Sequence, residues 1–255
     1  MYTSSVAELA PHIIFPQDAN TNVLMMLRWV HFLAGIAWVG LLYFFNLVNV
    51  PLMRELDATT RGKVVPTLMP RALWWFRWAS VVTVFAGVWY WMVIVGTDKR
   101  NAIAEGVNAS GGAAIGSFFG IWTLASVLMI GILMMGKLND RGVLLGVIVA
   151  VIVIAASWVF LAVNSQGWES NRLLAIGVGG GLGWVMMMNV WGIIWRAQKK
   201  LIRWTAESAA KGTPMPAEAA KLSRLAFVAS RANFWLSFPM LFFMGAASHY
   251  PMFGR

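Results

Sequence analysis

Three side chains within otherwise apolar stretches of this chain could carry chemistry: Arg28, His31 and His249. Neutral imidazole is a common metal ligand, and it holds b-type haem where no thiolate is available. The chain has no cysteine, which excludes Cys-ligated metal sites, a thiol nucleophile and covalent haem attachment. The residue types therefore predict a haem b site whose iron is bound by His31 and His249.

The spacing of four residues, Arg28, His31, Gly35 and Trp38, is regular along the sequence. Steps of three, four and three residues place them on one face of a helix. That face offers a guanidinium for a haem propionate at Arg28, an iron ligand at His31, and space for a flat ring at Gly35. The alternative is structural, because an intramembrane histidine can equally form a hydrogen bond between helices. A third histidine, His12, lies in a polar segment where we expect it to be solvated.

Composition assigns the chain to the membrane. Of its 255 residues, 59% are hydrophobic and 12% are charged, and the mean hydropathy is +0.68. A soluble domain has about a quarter of its residues charged, so this composition rules out most soluble folds. The net charge of +10 does not indicate nucleic-acid binding, since the basic residues lie between apolar runs, where positive charge sets membrane topology.

Six apolar stretches are long enough to cross a hydrocarbon core about 30 Å thick, which takes roughly 20 helical residues. We expect each to be a helix, because a lone lipid-exposed strand cannot satisfy its backbone hydrogen bonds. The predicted fold class is an all-α integral membrane protein, a bundle of about six transmembrane helices. Residues 1–23 are expected to form an external arm and residues 24–255 a single transmembrane domain. The predicted spans are 24–48, 72–96, 114–136, 142–164, 173–195 and 225–248.

Basic residues are concentrated in alternate connections between these spans. Thirteen of the 20 Lys and Arg residues fall in the connections after spans one, three and five. By the positive-inside rule these connections are cytoplasmic and both termini are outside. The expected location is therefore the bacterial inner membrane, with periplasmic termini. The longest connection, near 196–224, is expected to be a polar helix interrupted at Gly212.

No Asp or Glu lies in the central part of any predicted span. Pumps and ion-coupled transporters usually place carboxylates in the interior of the helix bundle. This pattern therefore disfavours transport.

Span five carries two glycine pairs at i,i+4 spacing, Gly177/Gly181 and Gly179/Gly183. Small residues at this spacing are typical of close contacts between membrane helices. Such a surface can accept a neighbouring helix, a neighbouring subunit or a planar cofactor.

Four stretches of the chain resemble one known family. They lie around His31, at the end of span five, around Arg231 and at the end of span six, and comprise 27–40, 189–195, 230–240 and 249–251. In combination they resemble the membrane domain of the urate hydroxylase PuuD family, the urate oxidase N-terminal family. The likeness spans nearly the whole chain, and it implies urate oxidation coupled to a c-type cytochrome.

Two departures from the family pattern bear on the activity that the resemblance implies. Full-length members carry a C-terminal cytochrome c domain, whereas this chain ends at Arg255 without a cysteine, so we expect a separate chain to supply the cytochrome. Trp74 and Ala79 stand where the resemblance implies a His and a Glu. General acid–base catalysis needs a positioned titratable group, so this departure weakens the expectation of urate chemistry.

The favoured function is a membrane redox subunit that binds haem b and transfers electrons to or from an external cytochrome or a larger complex. One alternative is a urate hydroxylase-type oxidase that uses a separate c-type cytochrome. The other is a cofactor-free structural subunit whose glycine and tryptophan faces pack against partner helices. The expected partners are the lipid bilayer, other membrane-protein subunits and a c-type cytochrome.

Overall fold

The structure is a computed structural model that describes residues 16–253. Within that range the chain consists of helices and short connections, and six of the helices are long and apolar enough to cross a membrane. The predicted all-α fold class and its six spans are confirmed. The helices, α1 to α6, are Ala19–Glu55, Ala58–Ala104, Gly111–Met135, Gly142–Asn164, Asn171–Lys211 and Ala219–His249.

The first helix begins at Ala19, inside the segment 1–23 that the sequence predicts to be an external arm. The Asp18 carboxylate accepts the Thr21 N–H at 2.8 Å. This bond satisfies an amide that the first helical turn leaves without a partner, which explains why the helix begins here. Residues 1–15, including His12, lie outside the described residues.

The second helix spans 47 residues, about 70 Å at 1.5 Å per residue, and extends well beyond the predicted span 72–96. Asp57 caps it by accepting the N–H groups of Thr59 and Thr60 at 2.8 and 3.0 Å. The basic residues that the sequence places in a connection therefore lie on this helix: Arg61, Lys63 and Arg71.

The fifth helix spans 41 residues and continues to Lys211. Gly212 ends it with φ +65°, a left-handed conformation that glycine adopts without strain. The predicted polar helix interrupted at Gly212 is thus confirmed. Its last turns pack against the start of α2, where a Cβ added to Gly62 would lie 2.9 Å from the Ala209 Cβ.

Successive helices run antiparallel, so the connections are divided between two ends of the bundle. Hydrogen bonds link the helices at each end. At one end Arg224 Nε donates to the Asn139 carbonyl at 2.9 Å, and at the other the Ser170 hydroxyl donates to Asp98 at 2.6 Å. We call the first the basic end, with connections 56–57, 136–141 and 212–218, and the second the opposite end, with connections 105–110 and 165–170.

The fifth helix is central to the bundle. In its most apolar stretch 78% of the residues are buried, against 28% in α1 and in α4, and it contacts α2, α3, α4 and α6. Glycines permit this close packing. Phe160 of α4 covers Gly177 and Trp122 of α3 covers Gly181, at positions where a Cβ would overlap the aromatic ring. One side of the predicted glycine surface is therefore filled by aromatic side chains of neighbouring helices.

Two short π-helical segments interrupt the long helices: Phe44–Asn49 in α1 and Val190–Ile194 in α5. A π-helical turn contains an additional residue, so it changes the face on which the following side chains lie. In α1 this segment includes Asn46 and Asn49, both of which are buried. The hydrophobic pattern of the sequence predicts neither segment.

Gly181→Ala should destabilise the bundle, because the new methyl group would overlap the buried Trp122 indole. Overpacking of this kind costs about 1–3 kcal/mol. Thermal unfolding of the detergent-purified protein, followed by tryptophan fluorescence, measures the effect. Gly180→Ala is the matched control, since its methyl group would meet nothing closer than 3.8 Å. Equal unfolding temperatures for the two variants would contradict the proposed packing.

Candidate functional site

A cavity of about 800 Å³ lies toward the opposite end of the bundle, with walls from α1, α2, α5 and α6 and one residue of α3. We call it the histidine cavity. Its volume lies within the range of about 300–1,000 Å³ that is usual for small-molecule and cofactor sites. All four of the site residues predicted from the sequence line this cavity: Arg28, His31, Gly35 and His249.

Two helices, α1 and α2, run antiparallel along the cavity, and residues on their facing sides meet in pairs. The regular spacing on α1 is matched by residues at steps of four and three on α2. The pairs are Arg28 with Tyr90, His31 with Gly87, and Gly35 with Thr83. The helix face predicted from the α1 sequence is therefore packed against a complementary face of α2.

His31 is held in one orientation by α2. Its Nδ1 lies 2.8 Å from the Thr83 backbone carbonyl oxygen. A carbonyl can only accept, so Nδ1 carries the proton and donates, and Nε2 keeps its lone pair. The ring rests on Gly87, where a Cβ would lie 2.8 Å from Nδ1 and Cε1. This is the arrangement in which metal-ligating histidines are usually found, with the second ring nitrogen bound to a carbonyl or carboxylate.

Arg28 is exposed at the rim of the histidine cavity. Its Nη2 donates to the Tyr90 hydroxyl, and its guanidinium carbon lies 5.3 Å from the centre of the Tyr90 ring. No Asp or Glu occurs among the described residues that line the cavity. The guanidinium charge is therefore available to an anionic group bound beside it.

His249 is the last residue of α6 and lies exposed at the same rim. Asn171, at the start of α5, holds the backbone on both sides of it. The Asn171 amide donates to two carbonyls and its oxygen accepts two N–H groups, all within residues 247–253 and at 2.9–3.2 Å. These four hydrogen bonds hold the backbone around His249 in place at the cavity wall.

The remaining wall offers a smooth surface and one unused donor. Gly180 and Gly183 of α5 line the cavity, and a Cβ on either would meet nothing closer than 3.8 Å. Trp38 is buried in the wall, and its indole N–H has no hydrogen-bond partner among the described residues. Because buried indoles usually find a partner, this N–H is available to a bound group.

These residues fit the haem that the sequence predicts. The cavity provides an imidazole with a free Nε2, a guanidinium whose charge no carboxylate of the described lining residues neutralises, a glycine wall that a flat ring can approach, and an indole N–H donor without a partner among the described residues. Residues 16–253 contain no group of three or more His, Asp or Glu side chains that could hold a bare metal ion. Haem requires only axial ligands from the protein, because the porphyrin supplies the others.

The sequence alone does not predict the α2 residues of the site. Thr83, Gly87 and Tyr90 carry no distinctive chemistry as residue types, although steps of four and three place them on one helix face. Asn171 was likewise not predicted, since its role depends on chain segments far apart in sequence. Only the pairing of helices shows that these residues position His31 and His249.

The fold and the cavity define a multi-pass α-helical membrane protein with a candidate cofactor site at one end of the bundle. The model of the family described as urate oxidase N-terminal matches residues 58–254, so the chain belongs to that family. This confirms the resemblance at the level of the family. The match covers α2 to α6 and includes His249, whereas Arg28 and His31 on α1 precede it. No curated protein and no solved structure matches the chain.

Trp74 and Ala79, which stand where the resemblance implies a His and a Glu, do not belong to the lining of the histidine cavity. Trp74 is 47% exposed, whereas Ala79 is buried in the core. Neither residue lines the cavity. The departure from the family pattern therefore concerns two positions that do not line the histidine cavity.

Gly87→Ala should displace the His31 ring, because the new methyl group would lie 2.8 Å from two of its atoms. The loss of the bond to Thr83 should make His31 react several-fold faster with diethyl pyrocarbonate, as mapped by mass spectrometry. Gly96→Ala is the matched control on the same helix, since a Cβ there meets nothing within 4 Å. Unchanged His31 reactivity in Gly87→Ala would show that the ring is not held as described.

Proposed function

We propose that this protein is a membrane redox subunit that binds haem b in the histidine cavity and serves in the oxidation of urate. The observation that carries the haem assignment is the geometry of His31, whose Nδ1 is bound by the Thr83 carbonyl while Nε2 is free. The link to urate is supported by membership of the urate oxidase N-terminal family.

Four residues at the cavity have a role in this proposal. His31 would hold the haem iron through Nε2, and His249, which lines the same cavity, would supply a second imidazole to it. Thr83 keeps the His31 imidazole in the tautomer that can bind a metal. Arg28 would neutralise a propionate, and its positive charge would raise the reduction potential. When bound, haem supplies a one-electron carrier.

The position of the cavity supports electron exchange with an external partner. Arg28 and His249 are both exposed at its rim, so a group held between them would lie near the end of the bundle. We propose that urate is the electron donor, losing two electrons and two protons while water supplies the added oxygen, and that two molecules of a c-type cytochrome, a separate chain, accept one electron each. Other membrane subunits would pack on the apolar outer faces of α3 and α4, which are largely exposed.

The proposed orientation places the basic end in the cytoplasm of a bacterial inner membrane. Most Lys and Arg residues outside the apolar core lie at this end, on the extended turns of α2 and α5 and in the connections between helices. Positive charge in short connections is retained on the cytoplasmic side. The histidine cavity then opens toward the periplasm, where c-type cytochromes are found.

His31→Ala should abolish the haem absorbance of the purified protein. The expected wild-type spectrum has a Soret band that shifts on reduction with dithionite and a pyridine haemochrome of the b type. Leu33→Ala is the matched control, because Leu33 lies on the same helix but is exposed and does not line the cavity. A wild-type protein with neither signal would refute the haem assignment and favour the cofactor-free structural subunit.

Urate alone, added to the haem-loaded protein without dithionite, should produce the same reduced spectrum. If dithionite reduces the haem and urate does not, the assignment as a redox subunit stands, but urate is not its electron donor. Turnover of urate only when a c-type cytochrome is added would identify the urate hydroxylase-type oxidase with a separate acceptor.

The cysteine-free sequence makes the orientation directly testable. Single cysteines at Thr213, in a connection at the basic end, and at Ser165, at the opposite end, should label from opposite sides of the membrane. A membrane-impermeant maleimide applied to intact cells should modify Ser165→Cys and not Thr213→Cys. The reverse pattern would invert the proposed topology and place the histidine cavity on the cytoplasmic side.

A further inference from the structure

A second cavity, of about 430 Å³, lies at the basic end of the bundle between α1, α2, α5 and α6. We call it the amide cavity after Asn46 and Asn49, which the π-helical segment of α1 contributes to its wall. Such π-helical turns occur frequently at functional sites. The other polar residues that line it are Arg54, Gln198, Ser223, Arg224 and Ser230.

Both asparagines carry a buried acceptor without a partner. Asn46 is 3% exposed and Asn49 is 8% exposed, and neither Oδ1 atom has a hydrogen-bond partner among the described residues. Asn46 Nδ2 donates to the Leu42 carbonyl at 2.9 Å and to the Ser230 hydroxyl at 3.0 Å, which fixes the orientation of its amide. Since a buried acceptor without a donor is costly, the two oxygens indicate a ligand that brings hydrogen-bond donors.

The amide cavity is also positively charged. Arg54 is exposed at its rim and Arg224 is half-buried in its wall, whereas no Asp or Glu occurs among the described residues that line it. Arg224 Nε donates to the Asn139 carbonyl at 2.9 Å and lies 3.4 Å from Asp140 Oδ1. The Asp140 side chain is 92% exposed, so water screens its charge. The cavity therefore favours a ligand that is an anion.

We propose that the amide cavity binds a small anion that carries N–H donors, held by the amide oxygens of Asn46 and Asn49 and by the charges of Arg54 and Arg224. The volume is within the range of small-molecule sites. Urate fits this description, since at neutral pH it is an anion with ring N–H groups, and its choice as a probe rests on the proposed function. A lipid headgroup with a phosphate and an ammonium group offers the same chemistry.

Two binding measurements separate these sources. Calorimetric titration into delipidated, detergent-purified protein measures the binding of urate. Tetramethylurate is the matched control compound, because it keeps the ring but has neither N–H donors nor charge. Native mass spectrometry with a short-chain phosphatidylethanolamine measures the binding of a lipid headgroup. Binding of urate without binding of tetramethylurate is the expected result. Binding of the lipid alone, if it depends on Asn49, supports the site and identifies its source as a headgroup.

Asn49→Leu should weaken ligand binding about tenfold, which corresponds to the loss of one hydrogen bond. Its unfolding temperature should hold or rise, because the substitution removes a buried acceptor that has no partner. Asn164→Leu is the matched control, since Asn164 is also buried but bonds to Ser117 and to the Phe160 carbonyl. That variant should lose stability and keep its affinity for the ligand. Arg54→Gln, at the exposed rim, should weaken binding without disturbing the core.

The proposal is overturned if neither probe binds, or if Asn49→Leu lowers the unfolding temperature and leaves the affinity unchanged. The Soret band, measured in the same samples, tests the haem assignment separately from ligand binding in the amide cavity. A retained Soret band without ligand binding would reject the amide cavity as a site and leave the haem assignment intact. Ligand binding without a Soret band would reject the haem assignment and leave the amide cavity intact.

Discussion

In a bilayer every backbone hydrogen bond must be satisfied within the protein, and helices then associate through packing contacts rather than through the hydrophobic effect. In this bundle the closest of these packing contacts lie at the glycine surface of α5. Aromatic rings of α3 and α4 cover Gly177 and Gly181, and Gly179 packs against α6. Gly180 and Gly183 are left to form a smooth wall of the histidine cavity. The helix that holds the bundle together thus also shapes its candidate cofactor site.

The two cavities lie end to end along α1. Tyr43 lines the histidine cavity and Phe45, two residues later, lines the amide cavity. Between them the Tyr43 ring lies 5.3 Å from the Phe234 ring, and its hydroxyl lies 3.1 Å from the Ser237 hydroxyl. Aromatic side chains therefore lie between the largely apolar cavity that contains the two histidines and the cavity lined by amide and guanidinium groups. The proposed haem and the proposed anion would lie on opposite sides of this layer.

Much of the candidate site could be predicted because its chemistry depends on rare residue types. A histidine or an arginine in an apolar span is conspicuous, and helical spacing alone places Arg28, His31 and Gly35 on one face. The partners on α2 could not be predicted in this way. Gly87 matters only because the His31 ring rests on it, and Thr83 contributes a backbone carbonyl, which any residue type would provide.

The sequence by itself determined that this is a membrane protein of six helices, since apolar length and the positions of charged residues are local properties of the chain. It also identified the imidazoles that could bind a metal. Only the tertiary structure decided which nitrogen of His31 remains free, that His31 and His249 share one cavity, and that Asn46 and Asn49 have buried acceptors without partners. These properties depend on the register between helices, which arises from side-chain packing between segments distant in sequence, and on a π-helical turn that the hydrophobic pattern does not indicate.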